Sequence, residues 1–136
     1  MNPIVKNVLA VVAGWLGGSI INMGLVQLGH IIFPMKGVDT NDMDALAIAM
    51  PTLEFHYFIF PFFAHALGTL GGAIIAGWIA VNHKMKFSLG IGGLFFLGGI
   101  AVNYMLPGPI WFTVTDIVIA YFPMAWIGGK IGKSIS

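Results

Sequence analysis

Four apolar stretches, at about residues 3–33, 52–81, 87–106 and 110–127, take up most of this 136-residue chain. Each is long enough to cross the ~30 Å hydrocarbon core of a bilayer as a helix. In lipid a spanning segment must satisfy its own backbone hydrogen bonds, which a helix does without a partner strand. The expected fold class is therefore all-α: a polytopic membrane protein built as a four-transmembrane-helix bundle. The connections leave no room for a further folded unit, so residues 1–136 are read as a single transmembrane domain. Only 8% of the residues are charged and 58% are hydrophobic, whereas soluble domains carry about a quarter charged residues. No soluble core of this size uses so much apolar surface.

Local signals place the ends. Asn2 and Pro3 read as an N-cap followed by proline at the first helical position. The first apolar stretch runs on to Phe33, well beyond the roughly 7–15 residues of a signal-peptide core. It should stop before Pro34, because proline excludes its predecessor from the helical region. Residues 35–51 form the one sizeable loop, with Asp39, Asn41, Asp42 and Asp44 in a solvated turn and a short surface helix from Met43 to Met50 ended by Pro51. Pro61 predicts a kink in the second span, or a short entry helix ahead of it. Pro107, Gly108 and Pro109 make a tight turn between the third and fourth spans.

Lysine placement sets the expected orientation. With four spans, Lys6, Lys84, Lys86, Lys130 and Lys133 fall on one side and only Lys36 on the other. The positive-inside rule puts the five in the cytoplasm, giving an N-in/C-in topology in a plasma (inner) membrane with the 35–51 loop external.

Several function classes drop out on composition. The chain has no Cys, which removes disulfide frameworks, thiolate catalysis and the usual structural zinc sites. Its basic residues are scattered lysines with a net charge of +1, so no basic stripe offers a nucleic-acid surface. The Gly128–Ser134 tail ends like a phosphate-binding loop, but the required earlier glycine would fall at Ile127. None of the four histidines forms an i, i+3 or i, i+4 pair, so neither a metal site nor any cofactor is expected. No soluble partner is inferred; the expected partners are the bilayer itself and either further copies of the chain or a larger membrane complex.

Small residues are patterned. Ala64, Gly68, Gly72, Ala76 and Ala80 recur every four residues along the second span, and Ala10, Gly14 and Gly18 do so along the first. Such stripes let helix backbones approach closely and gain dispersion contacts in lipid.

The chemistry must lie in the polar residues carried into the membrane. Counting ~1.5 Å per residue places Asn22 near mid-depth and His30 nearer the outer face. Glu54 then lies at the outer surface, His65 about 16 Å further in, Asn103 near the outer end of the third span and Asp116 about 9 Å below the start of the fourth. All fall in the outer half, which predicts an outward-facing polar cavity above an apolar floor. Glu54 and His65 lie within about 20° of one helical face if the helix is unbroken between them. Thr52 and Glu54 also suit the start of the second helix as cap and dipole partner. An ionised carboxylate at the bilayer centre costs roughly 2.5–3.5 kcal/mol, so Asp116 needs a partner, and His65 is the natural one by depth. Asp116, His65, Asn22, Glu54, His30 and Asn103 are therefore the candidate ligand- or ion-binding residues. No catalytic residues are assigned.

Three functions fit these residues. The first is a homo-oligomeric transporter or channel for a proton-coupled or cationic small solute. The second is a non-enzymatic accessory or assembly subunit whose polar cluster only fixes packing. The third, an intramembrane enzyme acting on a lipid or quinone, lacks a nucleophile constellation.

Overall fold

A computed structural model describes residues 1–136. It contains helices only: α1 (Pro3–Ile32), α2 (Met43–Ala49), α3 (Ile59–Ile79), α4 (Lys84–Met105), α5 (Ile110–Ile119) and α6 (Phe122–Ser134), with 3-10 turns at Met50–Thr52 and Phe55–Phe58. Four segments are long and apolar enough to cross a membrane: α1, residues Phe55–Ile79, α4, and the Ile110–Ser134 pair of α5 and α6.

Local chemistry starts and stops these helices. The Asn2 side chain accepts from Ile4 N at 2.8 Å and Pro3 opens α1. Asp42 does the same for α2, accepting from Asp44 N and Ala45 N. Pro61 is the third residue of α3, directly after the Phe55–Phe58 turn. In a first turn its missing N–H has no intrahelical acceptor to lose. The fourth span is not the single helix expected over 110–127. It breaks at Ala120–Tyr121, where Tyr121 adopts φ −112°, ψ −79°, and continues as α6 to Ser134. Pro123, the second residue of α6, cannot donate to the carbonyl of Ile119, so the break falls where the helical ladder is already interrupted.

Helix α3 is the hub, packing on α1, α4 and α6. A Cβ on Gly68 would stand 2.9 Å from the Gly18 carbonyl oxygen, and one on Gly72 would stand 2.6 Å from that of Gly14. Opposite them, Gly14 and Gly18 face the carbonyls of Gly72 and Gly68 at 2.7 and 2.6 Å by the same measure. Backbone meets backbone along this seam. On the other flank Gly128 and Gly132 of α6 approach the α3 carbonyls of Leu70 and Ile74 as closely. Helices packed this tightly hold a side chain between them at a defined place, which is how the fold positions its site.

At one end the turn between α3 and α4 is tied to the start of α1. Asn7 Oδ1 accepts from Val81 N at 2.9 Å, and its amide donates to Asn82 Oδ1 at 2.8 Å. His83 takes a left-handed conformation, φ 47°, which reverses the chain. Lys84 opens α4, where a cation opposes the helix dipole, but its ammonium reaches back to the Gly77, Trp78 and Ala80 carbonyls at the end of α3. Lys6, Lys130 and Lys133 lie at this same end.

Candidate functional site

Asp116 lies in α5, is wholly buried, and receives a donor from each of three directions. His65 Nδ1 of α3 is 2.7 Å from its Oδ1. Its Oδ2 accepts from Asn103 Nδ2 of α4 and from the Tyr121 hydroxyl, each at 3.1 Å. An ionised carboxylate is acceptor-only, and every one of these partners is able to donate. The Asn103 amide is oriented by its second hydrogen, which goes to the Gly99 carbonyl at 2.9 Å. Three helices and the α5–α6 break thus meet on one fully buried carboxylate.

Tyr121 enters this network because of the helix break. Residues five apart in an uninterrupted helix point about 140° away from each other, so the hydroxyl reaches Asp116 only because the chain turns at Ala120–Tyr121. Its ring then needs a seat on α4, and Gly99 provides it: a Cβ there would collide with the Tyr121 ring and hydroxyl. Tyr121 is 1% exposed as a result. The signal in the sequence is the coincidence of Pro123, which interrupts the helical ladder just after Tyr121, with a glycine at position 99 of α4.

His65 links the buried carboxylate to a cavity of about 130 Å³. Its side chain is 15% exposed, Nδ1 is committed to Asp116, and Nε2 has no partner within the chain. The cavity lies between Asn22 on α1 and the Phe95–Val102 stretch of α4, with His65 and Tyr121 behind. Phe95 forms its floor, since the ring packs where Cβ atoms on Gly18 and Gly72 would be. Asn22 Oδ1 is the one buried side-chain polar atom without a hydrogen-bond partner. Such a group is expensive to leave unpaired, at roughly 1–3 kcal/mol.

Two expected members stand elsewhere. Glu54 has an 82% exposed side chain, 3.6 Å from His56 Nδ1, and does not approach His65. Its backbone is extended, φ −73°, ψ 162°, so the helical phase that linked the two residues does not apply across the 3-10 turn. It caps no helix with its side chain, and Thr52 Oγ1 instead donates back to the Ala49 carbonyl at 2.7 Å. His30 faces a separate small recess beside Tyr57, Phe60 and Pro61. The exposed rim of the His65 cavity, Gly98 and Val102, belongs to the flank of α4 rather than to an end loop, which departs from the outward-facing cavity expected from depth alone. No cluster of His, Asp and Glu side chains is arranged to hold a metal ion.

Compared with protein-family models, with curated proteins and with solved structures, the chain matches none.

Proposed function

We propose that this protein is a small transporter or channel in which His65, held by Asp116, exchanges a proton with a small solute bound in the adjoining cavity. The observation that carries this reading is the split role of the imidazole, with Nδ1 on a fully buried carboxylate and Nε2 unpaired at the cavity. That arrangement fixes the ring and leaves one nitrogen free to take up or release a proton. Intramembrane ionisable groups in such positions are functional by default. In this reading the lysine-rich end is cytoplasmic, the site lies in the outer half of the membrane, copies of the chain associate, and no chemical conversion of the solute occurs.

The test is proton flux into proteoliposomes under an imposed gradient, read by an internal pH dye. Wild type should carry protons, and Asp116→Asn and His65→Gln should lose most of that flux while retaining helical content and oligomeric state. Unchanged flux in both variants sinks the reading.

A second reading, an accessory subunit, is favoured by the completeness of the Asp116 network. Both its oxygens are satisfied within the chain, as a purely structural register clamp requires. It predicts no flux from wild type, and recovery from native membranes in fixed stoichiometry with larger subunits.

A further inference from the structure

We infer that the His65 cavity is loaded from within the bilayer, through the cleft between α1 and α4, by an amphipathic molecule with a small hydroxyl-bearing head and a hydrocarbon tail. The inference rests on the ligand-site reading above and adds the route and the class of ligand. All of the cavity's lining residues belong to the four candidate membrane-spanning segments, Tyr121 at the break within the last of them, and none comes from the loops that join the spans. Towards the lysine-rich end it is closed by Phe95 seated over Gly18 and Gly72. Its exposed rim is on the side of α4: Val102 is 41% exposed, and a Cβ on Gly98 would meet nothing within 4 Å. A glycine there leaves a gap in the wall facing the region that lipid occupies.

The polar groups at the cavity select the head. They are the Asn22 amide and the His65 imidazole, whose Nδ1 is taken by Asp116, while the carboxylate of Asp116 is sealed behind the ring. A hydrated cation would exchange its shell for two neutral ligands, a poor substitution in lipid. A hydroxyl matches better, since it donates to the Nε2 that the Nδ1–H bond to Asp116 leaves as an acceptor, and its lone pairs accept from the Asn22 amide N–H. A volume of about 130 Å³ admits a few water molecules or a head of that kind, not a whole lipid. The tail would stay outside, along the exposed apolar flanks of Met23 and Leu97.

The experiment is selective 15N-histidine NMR of the full chain in nanodiscs, following the His65 Nε2 resonance during titration with 1-decanol, which partitions into bilayers, or with glycerol, which stays in water. Decanol should shift the resonance at mole fractions where glycerol does not. Gly98→Leu, which adds its side chain to open space, should weaken the decanol response about tenfold or more. Gly90→Leu, on the same helix and also with nothing within 4 Å of a Cβ, should leave it unchanged. A glycerol response equal to that of decanol, or a decanol response untouched by Gly98→Leu, overturns lateral entry. Silence to both alcohols overturns the hydroxyl ligand. Proton flux that survives either result leaves the proposed function standing, so the two fail separately.

Discussion

The Tyr121 hydroxyl donates to Asp116 Oδ2 at 3.1 Å from five residues away, a contact that exists only because the helix breaks between them. The break, the glycine that receives the ring and the carboxylate that receives the hydroxyl are one structural unit. Disturbing any of the three should be felt at His65, which leans on the same carboxylate.

Gly99→Ala tests the seat of the ring. The added methyl would overlap the Tyr121 ring and hydroxyl, and overpacking of this kind costs about 1–3 kcal/mol. Thermal unfolding in detergent should show the loss, and Tyr121→Phe in the same background should recover part of it by removing the crowded oxygen. Gly98→Ala, which meets open space, is the control and should be neutral or stabilising by up to about 1 kcal/mol.

Single and double replacements of the Asp116–His65 pair separate structure from function. Asp116→Leu leaves three donors without their acceptor and His65→Leu removes one partner of a buried carboxylate, so each should destabilise by about 3–5 kcal/mol. The double variant, which leaves only Asn103 and Tyr121 as stranded donors, should be more stable than Asp116→Leu alone. Recovered stability together with lost proton flux supports the transport reading, because a clamp that served only packing would lose nothing further in the double variant.

The seam between α1 and α3 predicts a sharp position dependence along α1. Gly18→Ala places a methyl 2.6 Å from the Gly68 carbonyl oxygen and 2.8 Å from the Phe95 ring. The helices must separate, which should lower stability by about 1–3 kcal/mol and disturb the cavity floor. At Gly24, where a Cβ meets nothing within 4 Å, the same change should be neutral or stabilising by up to about 1 kcal/mol, the helix-propensity gain of alanine. Unfolding measured for both variants in one detergent decides it, and equal effects would contradict the seam.

At the other end of the bundle, Lys84 supplies donors to carbonyls that α3 leaves open. Lys84→Met keeps the apolar stem and removes the ammonium, which should cost about 1–2 kcal/mol. Hydrogen exchange should quicken at the α3–α4 turn, where Asn7 holds Val81 and Asn82, and remain unchanged around Asp116.

Length and hydropathy by themselves determined that this chain is a helical membrane bundle with four candidate spans. In lipid the backbone has few alternatives to the helix, and no side-chain packing is needed to reach that conclusion. Counting along those helices also put Asp116 and His65 at a common depth, since rise per residue is constant. Direction around a helix is another matter, because it survives only while the helix is unbroken. The phase that links Glu54 to the His65 face is cancelled by the extended residue and 3-10 turn at 54–58, and Tyr121 carries no helical-phase signal because the break at Ala120 turns it towards Asp116. Asn103 was legible as a polar residue at the right end of its span, but its bond to Asp116 depends on α4 and α5 lying side by side. Tertiary structure alone decided that Asn22 would line the cavity without a partner and that the cavity's rim would fall on the flank of α4. These outcomes depend on which backbones approach closely enough to exclude side chains, and that is settled between helices rather than along any one of them.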